Sequence, residues 1–208
     1  MKKLLFAPIA AFFLMACGAQ QNNWEYLFNG YNFDGWDSAQ GWTIRDGMLI
    51  VEPVEGEHLV TNRSFSNFWL SVDFRVTPGA SSGIFYLVDE NMDGLEYQTI
   101  DDLTNPFAVG NRVLGSLFDL KAPPADKPIR WDDFNTALIK VDGNYIEHWL
   151  NGVKLFGIER NNDAWNNLVR ENMPDAAPGF GNQTSGRIFL QHSGSRFYFK
   201  NIKIKELP

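Results

Sequence analysis

The chain of 208 residues has one cysteine, Cys17, and three histidines, His58, His148 and His192. A lone thiol excludes an internal disulfide framework, so the fold must be held by its core. Three histidines at wide spacing, with no Cys pair, exclude the usual zinc patterns. Positive charge is also short: 18 Lys and Arg against 25 Asp and Glu leave a net charge of −7. An acidic surface repels phosphate backbones, which argues against nucleic acid as a partner. The longest apolar run, Leu4 to Ala16 with Pro8 inside it, is too short to cross a bilayer as a mature helix.

That run follows Lys2 and Lys3 and ends in Leu14-Met15-Ala16-Cys17, which resembles the cleavage box of bacterial lipoproteins. Residues 1–16 are therefore expected to be a signal peptide. Cys17 is the expected lipidation site and 17–23 a polar tether. The remaining 24–208 form one domain of an exported lipoprotein, anchored to the membrane in the periplasm or outer membrane. An ordinary signal peptide with a chance cysteine is the alternative.

Seventeen Phe and seven Trp are a heavy aromatic load for this length. The pattern that organises them has a period of two. Phe68, Leu70, Val72, Phe74 and Val76 alternate with Trp69, Ser71, Asp73 and Arg75, which predicts a strand with one apolar and one polar face. Asp46-Gly47, Asp142-Gly143 and Asn151-Gly152 lie between apolar runs and predict tight hairpins. A meander is expected over 136–158, with Val141 opposite Asn144 and Leu150 opposite Val153. It places His148 on the aliphatic face with Ala137, Ile139, Val141, Ile146 and Leu150. A strand is expected near 114–120 inside an otherwise irregular 103–134 stretch. Asp163 to about Glu171, capped by Asn162 or Asp163, reads as one short helix. Arg187–His192 and Arg196–Leu207 read as closing strands. Many short strands, tight turns and one helix indicate an all-β sandwich, of jelly-roll type at this length.

Five motifs then occur in order: Leu27-Phe28-Asn29-Gly30 with Gly35-Trp36; Phe74-Arg75 followed by Pro78-Gly79-Ala80-Ser81-Ser82-Gly83-Ile84-Phe85; Glu96-Tyr97-Gln98-Thr99-Ile100-Asp101-Asp102; His148-Trp149-Leu150-Asn151-Gly152; and Ile188-Phe189-Leu190-Gln191 with Phe199-Lys200-Asn201-Ile202. Together they resemble the 3-keto-disaccharide hydrolase family over essentially the whole mature chain. The resemblance implies a concanavalin A-like jelly roll in the bacterial envelope that acts on 3-keto-glycosides. The chain departs from the family in having Ser81 where Asn is usual, and Gln191-His192-Ser193-Gly194 where Gln-Asp-His-Gly is common.

Glu96, Gln98 and Asp101 fall at i, i+2 and i+5. On a regular strand Glu96 and Asp101 are roughly 15 Å apart, whereas paired-carboxylate glycosidases need about 5–10 Å. A 3-keto sugar relaxes that demand. Its ketone acidifies the C2 hydrogen, so one base, one oxyanion donor and loss of the C1 oxygen suffice, with water adding afterwards. The expected catalytic residues are Glu96, Asp101 and His148. Arg75, Gln98, Asp102 and Trp149 are expected to bind the carbohydrate substrate. No cofactor is required, although a divalent cation such as calcium is compatible with lectin-like sandwiches. Two alternatives share this fold: a non-catalytic carbohydrate-binding domain, and an ordinary β-glucanase.

Overall fold

The computed structural model describes residues 24–208; the expected signal peptide, Cys17 and the expected tether lie outside them. In chain order the strands are β1 (Glu25–Tyr26), β2 (Trp42–Arg45), β3 (Met48–Val51), β4 (Leu59–Val60), β5 (Phe68–Arg75), β6 (Ser81–Val88), β7 (Leu95–Ile100), β8 (Asn135–Asp142), β9 (Tyr145–Leu150), β10 (Val153–Glu159), β11 (Arg187–Leu190) and β12 (Phe197–Glu206). One helix, α1 (Asp163–Asn172), lies between β10 and β11. The larger sheet runs β10-β9-β8-β5-β12-β3-β2, with β1 also paired to β12; the smaller runs β4-β11-β6-β7. Every pairing is antiparallel.

The alternation of β5 is realised. Phe68, Leu70, Val72 and Phe74 are fully buried between the sheets, while Trp69, Asp73 and Arg75 leave by the outer face. From the smaller sheet Tyr86, Tyr97 and Leu95 answer them, and the Phe74 and Tyr97 rings meet edge to face across the core at 6.4 Å. Residues 68–102 thus contribute to both sheets. β5 belongs to the larger sheet, β6 and β7 to the smaller, and the outer faces of the two sheets point away from each other.

Asp46-Gly47 and Asn151-Gly152 form their hairpins with both central residues in the left-handed region, which suits the twist of paired strands. The third hairpin differs from expectation. Its central residues are Gly143-Asn144, so Val141 faces Ile146 and not Asn144. A slip of two residues preserves the side-chain faces, and His148 remains on the aliphatic face. Leu150 does oppose Val153.

The helix starts where Asn162 accepts the Trp165 backbone N–H at 2.8 Å. Trp165 is buried, and its Nε1 donates to the Phe180 carbonyl at 3.0 Å. Buried Arg160 donates to the Gly143, Gln183 and Gly181 carbonyls, which pins the 179–183 loop against the sandwich. Residues 114–120 do not form a regular strand. Gly115 and Asp119 adopt positive φ (85° and 60°) and bend the chain. The segment nevertheless pairs with β7: Gly115 N–H donates to Gln98 O at 2.8 Å, Gln98 N–H to Ser116 O at 3.1 Å, and Phe118 N–H to Glu96 O at 3.1 Å. Residues 187–207 form two strands as expected, but these separate: β11 joins the smaller sheet and β12 the larger.

Candidate active site

β7 alternates like β5. Tyr97 and Thr99 point into the core, so Glu96 and Gln98 project from the outer face of the smaller sheet. There they line a cleft of about 510 Å³ together with Ser81 and Phe85 from β6 and Gln191 and Ser193 just past β11. Leu117, Phe118 and Leu120 form one wall, and Met173 and Phe180 another. The segment paired with β7 and the loop pinned by Arg160 therefore build the walls on a sheet floor.

Gly83 sits opposite Gln98 on β6. A Cβ on it would press on Glu96 Oε1, and would come within 2.7 Å of a Phe85 ring carbon and 2.9 Å of Glu96 Cδ. The missing side chain is the space that the Glu96 carboxyl occupies. Phe85 stacks on Phe189 at 4.1 Å, and Phe189 on His58 at 4.8 Å, which extends an aromatic run from the cleft across the sheet.

Glu96 is only 8% exposed. Burial, and then the charge of Asp119, push its carboxyl up to about pKa 8. No hydrogen bond from the described residues offsets this. Gln98 donates through Nε2 to Ser81 Oγ at 3.0 Å, and its Oε1 is buried without a partner among the described residues. Turned by half a rotation, the same amide accepts from the Ser81 hydroxyl and frees two N–H donors. Gly79-Ala80-Ser81-Ser82-Gly83 fits the letters of a nucleophile elbow. However, it leads into a strand and not a helix, and the Ser81 hydroxyl meets an amide and not a base.

Of the seven residues expected at the site, the structure brings only Glu96 and Gln98 together in this cleft. His148 is fully buried between the sheets, with Nδ1 on the Gly115 carbonyl at 3.1 Å and Nε2 on the Tyr86 hydroxyl at 2.9 Å. Burial depresses it to about pKa 3, so it is a neutral core residue with no path to substrate. Asp101 closes a loop. It accepts from Gly79 N–H at 2.7 Å, Leu103 N–H at 3.0 Å and the Thr104 hydroxyl. Burial works to raise its pKa, but these bonds outweigh it and hold the carboxyl below its usual range. Asp102 caps Leu114 N–H at 2.7 Å and pairs with Lys127 at 2.8 Å. Arg75 and Trp149 lie on the outer face of the larger sheet. Arg75 covers Tyr198 and Phe134 at 4.2 and 5.3 Å. Trp149 donates to Glu147 at 2.8 Å and packs edge-on against Trp69. Alternation gave each residue a face, but it could not tell which sheet that face belonged to.

Ser81, Phe85, Phe118, Asp119, Gln191 and Ser193 were not among the expected site residues. Ser81, Phe85, Gln191 and Ser193 lie inside or beside quoted motifs, so their signal was present. Asp119 lies 23 residues beyond Glu96 on irregular chain and gave none. Among the described residues no group of three or more His, Cys, Asp or Glu side chains is arranged to hold a metal ion.

Fold and cleft together define a concanavalin A-like jelly roll that presents a polar, aromatic-edged cleft on one sheet. Within that class, residues 23–205 match the 3-keto-alpha-glucoside-1,2-lyase-like domain, and the chain belongs to that family. It is 27% identical to a 3-keto-disaccharide hydrolase from Bacteroides thetaiotaomicron, over 87% of this chain and 77% of that protein. A Parabacteroides distasonis structure assigned to the glycosyl hydrolases superposes with a TM-score of 0.81 at 29% identity, covering 89% of this chain and 94% of the other. A carbohydrate-binding module from Bacillus subtilis, at 12% identity and a TM-score of 0.56, over 88% of this chain and 100% of the other, shares the fold. The family and this relative support an enzyme that acts on glycosidic bonds.

Proposed function

We propose that this cleft cleaves 3-keto-glycosides by elimination followed by hydration, with Glu96 as the proton-transfer group. The observation that carries the reading is Glu96 itself: a buried carboxyl on the sheet floor of a sugar-sized cleft, with Asp93 at the rim shared with a neighbouring cavity, and with its pKa raised to about 8 by burial and by Asp119. A carboxylate of raised pKa is a stronger base than an exposed one and better matched to a carbon acid at neutral pH. Asp101 and Asp102, held by loop and lysine contacts, are not available as the second acid of a two-carboxylate glycosidase.

Glu96 takes the C2 proton, and the electron pair moves toward the C3 ketone oxygen. The Gln98 amide, turned so that Ser81 donates to Oε1, supplies N–H donors to the resulting enolate. The pair then returns to form the C1–C2 double bond, the C1–O bond breaks, and the protonated Glu96 gives its proton to the departing oxygen. Water adds across the double bond, with hydroxyl to C1 and hydrogen to C2, and yields the 3-keto sugar and a free alcohol. Phe85, Leu117 and Phe118 limit bulk water around the enolate.

Running the reaction on 3-keto-trehalose in deuterium oxide tests this. Elimination leaves deuterium at C2 of the recovered 3-keto-glucose. Turnover with no C2 label would mean direct displacement at C1, and the elimination would be wrong.

The same reading takes the protein to work at the cell envelope, anchored through Cys17. Lys2 and Lys3, the apolar run and Leu14-Met15-Ala16-Cys17 support it. Labelling of cells with a radioactive fatty acid is expected to mark the wild type and not Cys17→Ser. Equal labelling of both would remove the anchor.

A further inference from the structure

A second cavity, of about 530 Å³, adjoins the cleft, and the two share Asp93, Met173 and Phe180 as wall. Besides Asp93, its polar side chains are Arg112, Asp119, Asn172 and Asp175. We infer that it is the subsite for the leaving group, and that it takes a neutral sugar. The inference rests on the reading of the first cleft as the place where the glycosidic bond breaks.

Four features point to it. Arg112 and Asp119 meet as a two-point fork, Nε to Oδ1 at 2.5 Å and Nη2 to Oδ2 at 3.0 Å. That geometry leaves Nη1 and the outer carboxylate lone pairs free to grip neighbouring hydroxyls. The fork is held still. Asp119 has a left-handed backbone (φ 60°) fastened on both sides to Asn111, N–H to O at 3.1 Å and O from Nδ2 at 3.1 Å. Phe118 lies beneath the guanidinium at 5.2 Å and also lines the first cleft, so one turn of chain serves both cavities. Met173 and Phe180 supply the apolar surface that a pyranose face needs.

Charge sets the ligand class. The second cavity carries Asp93, Asp119 and Asp175 against one arginine. A phosphate or uronate there would meet repulsion, whereas a polyol finds acceptors for its hydroxyls. Asp119 also links the subsites chemically, because its charge contributes to holding the Glu96 proton.

The test compares a 3-keto-disaccharide with the methyl 3-keto-glucoside, which has nothing to place in the second cavity. Arg112→Ala is expected to lose about 10- to 100-fold in kcat/KM on the disaccharide, chiefly through KM. Its loss on the methyl glycoside is at least fivefold smaller. Arg112→Lys keeps the charge and loses the fork; it should behave in the same direction, with unchanged melting temperature. Equal losses on both substrates, or none on either, would overturn the subsite. If the wild type turns over neither substrate, the reading of the first cleft fails. The subsite is then judged by calorimetric titration of the unoxidised disaccharide. Weaker binding to Arg112→Ala than to wild type supports it, and equal binding overturns it.

Discussion

Glu96→Gln lowers kcat on a 3-keto-glycoside by about 10²- to 10⁴-fold, the usual worth of a positioned proton-transfer group. The amide fills the same space over Gly83, so substrate affinity changes little. The same substitution makes the protein more stable at alkaline pH. In the folded state the Glu96 proton is held to about pH 8, whereas the unfolded chain releases it near 4.5. Between those values the folded state binds more protons, so wild-type stability falls as pH rises, by about 1.4 kcal/mol per unit at most from this group. Below the lower value the contribution is complete, and above the upper one the whole penalty is present. Gln carries no such penalty. Urea melts at pH 7 and pH 9, both above the range in which His148 acts, should therefore converge in the variant and diverge in the wild type. An active Glu96→Gln enzyme would sink the assignment of the proton-transfer role. Parallel pH profiles would sink the buried, charge-disfavouring environment.

His148→Ala costs about 3–5 kcal/mol of stability. The ring touches Tyr97 at 4.7 Å and Phe156 at 4.9 Å, and its removal leaves the Tyr86 hydroxyl and the Gly115 carbonyl unpaired inside the sandwich. The acid limb also changes. The folded protein keeps His148 neutral to about pH 3, while the unfolded chain takes up the proton near 6.5. Stability from this group is therefore full above 6.5 and drains as pH falls toward 3. The alanine variant should lack that slope. Denaturant titrations from pH 7 to pH 4 measure both effects, and a loss under about 1 kcal/mol would contradict a ring that fastens the two sheets together.

Sequence pattern and structure agree where the physics is local. Alternation in β5, the Asp46-Gly47 and Asn151-Gly152 turns and the Asn162 cap depend on neighbours within a few residues, and each is legible, whereas the turn expected at Asp142-Gly143 forms one residue later. His148 was likewise placed on the aliphatic face by alternation alone, which already argued for a buried role. What local pattern does not carry is the partner of each face. Arg75 and Glu96 both stand on polar faces, 21 positions apart, yet the loop at Thr77–Ala80 carries the chain from one sheet to the other and turns those faces apart. Asp101 has the spacing of a glucanase acid, but the strand ends at Ile100 and the next carboxylate folds back to cap Leu103 and Gly79. The walls were the least legible part. Residues 114–120 obey no period, because Gly115 and Asp119 break it, and their place is fixed only by long-range hydrogen bonds to β7.

Those bonds have a consequence for solution behaviour. A four-stranded sheet ending in a bare β7 would offer its free backbone groups as a template to a second molecule. Residues 115–118 occupy the seam and, being kinked, cannot pass the pairing on. If that segment lifts, the cleft loses its wall and the molecule becomes adhesive in the same step. A ligand that closes the cleft should therefore also act as an anti-aggregant, slowing the appearance of light scattering during mild heating.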